Sequence, residues 1–408
     1  MAVAAFPIEK DECLKCYTLW YDEEGVNTCL DCGKCFCNEH AMEHSKDKGH
    51  PYFIHFENPQ ASQFRFFDEQ GFTPAELPSE YLQIVKIIKA QPFLYENPRG
   101  GDDAQFPMPM LSGFYSDNWG RTRSVESGNT SYLNAILHTI FSMEEFSSFF
   151  AGAECERGDY QDIGQQFFRF VSELRRGNRK IMRPRLLHRS IGRLDKRFRD
   201  NQPKDAMEFL NFLLKTFHLR MQGAPMNLLT FDISWTVICD NCGYIETGLD
   251  KNQQILTISP PLDVPETQWA GIEDLIDRSM LFTVSNRKCP KCGGDLTCSR
   301  TITKAPQYLL IHVALDNSGH KIDLHLELDP DNLNMAQHIL SSSDQLAVYK
   351  LNAFTSHSGK IANWGHNSAY VRYNQQWYKF YDESVLACDR DHNFKFGKQY
   401  LYLYKLRQ

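Results

Sequence analysis

Four Cys-x-x-Cys pairs, at 13/16, 29/32, 239/242 and 289/292, constrain this chain more than any other feature of its sequence. A two-residue gap lets both sulfurs of one turn face a single ion, and zinc prefers four tetrahedral thiolate or imidazole ligands. A disulfide framework is the competing use of such pairs. It suits short secreted chains, whereas this one has 408 residues and an odd cysteine count of 13, which favours reduced thiolates on metal.

Around the first two pairs lie eight candidate ligands, Cys13, Cys16, Cys29, Cys32, Cys37, His40, His44 and His50. They suffice for two zinc ions and leave Cys35 spare; the alternative is one ion, with some of the histidines on the surface. The segment to residue 58 has few long apolar runs, so its core is too small to fold unaided. The later pairs, Cys239 with Cys242 and Cys289 with Cys292, flank strand-like runs and close one further zinc site. Four thiolates leave no open coordination position, so that site is structural. Cys155, Cys298 and Cys388 stand alone and read as buried apolar side chains or idle thiols.

The 44 Lys and Arg residues stand against 51 Asp and Glu, a net charge of −7. Composition therefore offers no global positive field, and direct nucleic-acid binding is not expected. No apolar run reaches the length that spans a bilayer, and MAVAAFPIEK lacks the regions of a secretory signal. An intracellular protein of the nucleus or cytoplasm, away from membranes, is the expectation. Along the chain we read a metal-binding module over 1–58, then a linker over 59–112 with one helix marked by Leu82, Val85 and Ile88, then a large domain over 113–408. Helical periodicity dominates to about residue 220 and β-type runs follow from Phe231, an order that argues α+β.

The string CxxC…CLDC…C…HAMEH…GHP resembles the UBP-type zinc finger of deubiquitinating enzymes. Three further segments resemble the nucleophile, helix and histidine boxes of the ubiquitin-specific protease family: GNTSYLNAILHTIF, NQPKDAMEFLNFLL and YKLNAFTSHSGKIANWGHNSAYVRY…WYKFYDESV. The resemblance implies a papain-like fold with a helical thumb, an antiparallel β palm and zinc-bearing fingers. It also implies ubiquitin, ubiquitinated proteins and a larger protein complex as partners. The family's cysteine nucleophile corresponds to Ser131, its oxyanion-donating asparagine to Glu126 and its general base to His366. The third triad member falls on Tyr381, with a second acid at Asp382. Glu208 and Phe209 match the helix box, and His357 matches a further histidine that we take as structural. In the finger, the arginine that grips a free ubiquitin tail would follow Cys37, where this chain has Asn38 and Glu39; Trp20, Tyr52 and Phe53 are candidates for the aromatic wall.

These substitutions bear directly on the chemistry. A serine hydroxyl titrates far above a thiol, so it attacks only if an imidazole removes its proton as the bond forms. A carboxylate at the oxyanion position repels developing charge, and losing one such donor costs about a hundred- to a thousandfold in rate. The first reading is therefore an inactive or very weak protease-like protein that scaffolds ubiquitin or other proteins. The second is a working deubiquitinase that hydrolyses isopeptide bonds at the ubiquitin C-terminus, with Ser131 in place of a cysteine and Asp382 completing the triad. The third is an interaction module unrelated to ubiquitin.

Overall fold

The chain builds two compact units and passes between them more than once: Met1–Gly128 with Glu154–Asn201 form the first, Asn129–Ala153 with Gln202–Gln408 the second. A computed structural model describes residues 10–16, 18–20, 24–56, 62–68, 71–90, 93, 110–111, 130–151, 163–176, 181–182, 184–200, 202–220, 225–259, 269–314, 325–327, 329–340, 347–361, 364–381, 384–388 and 398–407.

In the first unit, β1 (Val26–Cys29), β2 (Cys35–Phe36), helix α1 (Asn38–Lys48) and β3 (Tyr52–Phe56) fold the ligand-bearing segment. Beyond residue 58, β4 (Ser62–Asp68) and β5 (Gly71–Pro74) extend the same antiparallel sheet in the order β2-β1-β3-β4-β5. The segment read as a linker with one helix thus also carries two strands of the finger. Its alternating aromatics explain why. Phe64 packs with Ile54 and Phe56 on one face, while Phe67 packs with Phe53 on the other. Helix α2 (Leu82–Ala90) closes the Ile54 face with Val85 and Ile88, and α1 closes the Phe53 face with Ala41. Gly49 ends α1 at φ +66°, donating its amide to the Ser45 carbonyl at 2.8 Å.

After β6 (Met110–Leu111) the chain contributes α3 (Ser131–Phe141) and α4 (Glu144–Ala151) to the second unit. It then returns to the first for α5 (Ile163–Arg176), β7 (Ile181–Met182, parallel to β6) and α6 (Arg185–Leu194). In this stretch α5 and α6 pack on each other, and Arg169 of α5 donates to the Lys15 carbonyl at 3.1 Å within the first unit.

The second unit continues with α7 (Ala206–Arg220), β8 (Phe231–Cys239), β9 (Ile245–Gln253), β10 (Ile255–Ile258), β11 (Trp269–Gly271), α8 (Ile272–Met280), β12 (Leu281–Thr283) and β13 (Leu296–Ile302). Then come β14 (Tyr308–Val313), β15 (His325–Glu327), β16 (Leu333–Asn334), β17 (Val348–Ile361), β18 (Trp364–Tyr373), β19 (Gln376–Tyr381), β20 (Ser384–Cys388) and β21 (Lys398–Leu406). The main sheet runs β10-β14-β21-β17-β18-β19-β20 with β16 on β17, and β12-β13-β8-β9 form a separate antiparallel sheet. The α+β expectation holds: antiparallel pairs dominate, and parallel pairing is limited to β10–β14, β11–β15 and β6–β7 among the described strands. Helix α3 lies buried on β18 and β17, backed by α7 through the edge-to-face pair Tyr132–Phe209 at 5.5 Å. Within this arrangement Thr139 of α3 meets Thr355 of β17, hydroxyl to hydroxyl, at 2.9 Å.

Gly365 opens β18 at φ +142°, where a Cβ would sit 2.2 Å from the Ser358 carbonyl oxygen and 2.6 Å from the His357 ring. Gly365→Ala is expected to destabilise the second unit by about 2–4 kcal/mol, combining backbone strain with a clash that buried His357 cannot relieve. Gly49→Ala, strained but in open space, is expected to cost only about 1 kcal/mol. Urea denaturation of the two variants checks this, and equal costs would contradict it.

Candidate functional site

Helix α1 is the organising element of the finger because His40 and His44, four residues apart, point along one face into two different groups of ligands. Cys13, Cys16, Cys37 and His40 form one group, Cys29, Cys32, His44 and His50 the second, and Cys239, Cys242, Cys289 and Cys292 the third. In each group the four ligand atoms lie within 4.8 Å of one another. Representative separations are 3.5 Å for Cys16–Cys37, 3.4 Å for Cys32–His44 Nε2, and 3.5 Å and 3.6 Å for Cys239–Cys292 and Cys242–Cys289. A tetrahedron around an ion at zinc–sulfur and zinc–nitrogen distances has edges of about 3.3–3.8 Å, so the donor sets fit a metal.

The electrostatics agree with that fit. Hydrogen bonding to Cys29 holds the Cys32 thiol down to about 3, while the same contact and burial push Cys29 well above the ordinary thiol range. One thiolate and one thiol share the pair, and a divalent cation is what allows both to ionise. Cys35, the spare of the sequence reading, is fully buried on the side of the sheet that faces α2, and Cys298 and Cys388 are buried too. Cys155 lies outside the described residues.

The aromatic candidates of the finger are packing residues: Phe53 is fully buried, Trp20 lies 4.5 Å from Phe93, and Tyr52 makes tilted ring contacts at 5.2 Å with both Phe66 and Tyr81. Asn38, where the resemblance expects an arginine, accepts hydrogen bonds from Asn27 at 2.9 Å and from Arg65 of β4 at 3.1 Å.

In the second unit the first turn of α3 carries Ser131, 93% shielded from solvent. Its Oγ accepts a hydrogen bond from the backbone amide of Asn367 at 3.2 Å, one residue beyond His366. The structure therefore brings Ser131 to the strand that bears His366. The half-buried His366 ring packs against the Tyr381 ring, centroids 4.5 Å apart and tilted by 48°. His357 is buried in the adjoining strand, opposite Asn367 in the register. Phe209 is buried against Tyr132, as a helix box packed behind α3 requires. Glu126 and Asp382 lie outside the described residues.

Two residues were missed in the sequence. The Asn367 side chain is buried and accepts from the Tyr400 hydroxyl at 2.9 Å. Burial pushes that hydroxyl well above the ordinary range, so it remains a donor. Tyr400 lies in YLYLY of β21, a run buried on both faces, and nothing local signals its partner 33 residues away. Likewise His138 is fully buried in α3 and stacks on Phe380 at 4.1 Å; burial holds it down to about 3, so it is neutral at physiological pH.

Comparison with known proteins extends this geometry. A ubiquitin carboxyl-terminal hydrolase family model matches residues 122–404, and a variant UBP zinc finger model matches residues 3–60. Human (Homo sapiens) ubiquitin carboxyl-terminal hydrolase 3 is 23% identical over 347 residues, covering 68% of this chain and 66% of its own length. Drosophila melanogaster ubiquitin carboxyl-terminal hydrolase Usp2 is 22% identical over 325 residues, with 68% and 34% covered. The chain thus spans two thirds or less of the length of these two curated relatives. Two solved structures of the SAGA DUB module Ubp8/Sgf11/Sus1/Sgf73 share its fold, one bound to monoubiquitin and one to ubiquitin aldehyde. Their TM-scores are 0.59 and 0.57 at 18% and 19% identity, with 99% and 100% of this chain and 91% and 92% of theirs covered. No helix among the described residues is long and apolar enough to cross a membrane. With the hydrolase model spanning most of its length and the finger model matching ahead of it, this chain belongs to the ubiquitin carboxyl-terminal hydrolase family.

Proposed function

We propose that the chain is a catalytically inactive or very weak ubiquitin-specific-protease-like protein that binds ubiquitin or ubiquitinated proteins as a scaffold. The observation that carries this reading is Ser131 at the start of α3, with its hydroxyl oxygen already accepting the Asn367 amide. A thiol in that setting gains from the helix macrodipole and a nearby imidazole because its pKa is within reach of both. A hydroxyl is not, and it stays protonated. In this reading Tyr381 supplies ring contact to His366 but no carboxylate charge, and Glu126 takes the place of an oxyanion donor. The solved modules of similar fold hold ubiquitin and three other proteins, which supports ubiquitin and a larger complex as partners.

The second reading, turnover with Ser131 as nucleophile, draws on the same hydrogen bond, since it sets the serine beside the strand that carries His366. Hydrolysis of a fluorogenic ubiquitin C-terminal substrate separates the two. The chain as it stands is expected to show no turnover above background. Ser131→Cys is expected to stay at least about a hundredfold below an intact family enzyme, because the oxyanion position remains a carboxylate. Rapid cleavage by the unaltered chain would overturn the scaffold reading, and strong activity in Ser131→Cys alone would reassign the protein as an enzyme with a single lost group. Calorimetry with free ubiquitin tests the binding half: saturable binding is expected, and its absence would favour a module unrelated to ubiquitin.

In the proposed holoprotein three zinc ions, two in the finger and one between the β8–β9 and β12–β13 ribbons, hold the fold and take no part in chemistry. Metal analysis is expected to return three zinc per chain. His44→Ala should lower this to two and unfold the finger's second site, while Cys35→Ala should leave all three. A stoichiometry unchanged in His44→Ala would contradict the assignment.

A further inference from the structure

Whole-chain charge conceals one local concentration. From residue 169 to 200 the sequence holds ten arginines and two lysines against Glu173, Asp195 and Asp200, inside a chain whose net charge is −7. Helix α6 and the single 3-10 turn that follows it, Lys196–Phe198, give part of this run a defined shape. Leu187, Ile191 and Phe198 are fully buried. The His188 ring bonds to the backbone of Phe198, and burial holds it down to about 4, so it serves as a neutral tether. Gly192 lets the turn fold back on the helix, since a Cβ there would stand 2.8 Å from the Cα of Arg199.

The consequence of this packing is that apolar anchors point inward while Arg189, Arg193, Lys196 and Arg199 are all exposed. Asp195 does not cancel them, because its carboxylate is clamped by Arg197, accepting from Nε at 3.0 Å and from Nη2 at 2.5 Å, and exposed Asp200 offsets one of the four at most. We infer that α6 and its following turn form a docking surface for the phosphate backbone of duplex nucleic acid.

Three features select that partner. Arginine outnumbers lysine, and its planar fork suits phosphate oxygens. Protein–protein interfaces centre on apolar or aromatic anchors, whereas Leu194 is the one large apolar side chain exposed on α6 and its turn among the described residues. Single strands are held by stacking on exposed aromatics, and Phe198 is fully buried. What is left is sequence-independent charge neutralisation, which a whole-chain count of charges does not reveal.

Fluorescence anisotropy of a labelled duplex of about 20 base pairs, titrated with the full chain between about 50 and 200 mM salt, tests the proposal. Saturable binding is expected, with log K falling against log salt at a slope of about −3 to −4, as four exposed cations release counterions. The triple variant Arg189→Gln, Arg193→Gln, Lys196→Gln should bind at least about tenfold more weakly and flatten the slope by about 2 to 3. These side chains are exposed, so circular dichroism and metal content should not change. The proposal fails if binding does not saturate at the lowest salt or if the variant keeps the parental slope. It also fails if polyglutamate displaces the duplex at equal charge concentration, which would assign the surface to acidic proteins, or if the matching single strand binds more tightly.

Discussion

Everything at the candidate site depends on how α3 is seated on β18. Ser131 opens an almost wholly buried eleven-residue helix, so its side-chain oxygen has little water to bond with and needs a donor from the sheet. That partner is the Asn367 amide, which donates to Ser131 Oγ at 3.2 Å. The contact is only as good as the strand's register, and the register rests on Gly365, whose backbone passes where any side chain would strike Ser358 and His357. From the other side Tyr400 of β21 holds the Asn367 carboxamide. The geometry that would present a nucleophile is thus maintained by residues on three strands, while the residue presented is a hydroxyl. Two properties are therefore separate in this chain: the scaffold of a hydrolase, and the charge chemistry that would make it one.

The three Cys/His clusters, with metal bound, would play a parallel part elsewhere in the chain. In the finger a sheet of five short strands between two helices has little apolar surface to bury, and two of the three ligands on α1 and its N-terminal boundary, Cys37 and His40, belong to a different cluster from His44. One helix shared by two clusters couples them. In the β8–β9 and β12–β13 sheet the third cluster joins two hairpin turns whose cysteines are alternately buried and exposed, which is the pattern of an ion pinning the tip of a ribbon.

Much of this was legible in the sequence, for a physical reason. Ligand spacing is a local property, so the eight N-terminal ligands, the spare Cys35 and the four-thiolate group could be written down from Cys-x-x-Cys turns and helical histidine spacing. Strands β4 and β5 were not recognised, because SQFRFFD and GFTP sit among Pro and Gly signals and their aromatics fit a sheet only when β3 is there to receive them. The Ser131–Asn367 contact joins residues 236 apart, and no local pattern announces it. The basic surface on α6 escaped for the opposite reason: it is wholly local, but a net charge of −7 averages it away.

Covalent trapping addresses the central claim most directly. The unaltered chain is incubated with ubiquitin carrying an activated C-terminal ester, and its intact mass is followed with time. If Ser131 remains a protonated hydroxyl held by Asn367, ubiquitin associates reversibly and the mass of the chain does not change. Accumulation of a ubiquitin acyl adduct mapped to Ser131 would contradict the account, since it would mean that the hydroxyl is deprotonated within its site and attacks.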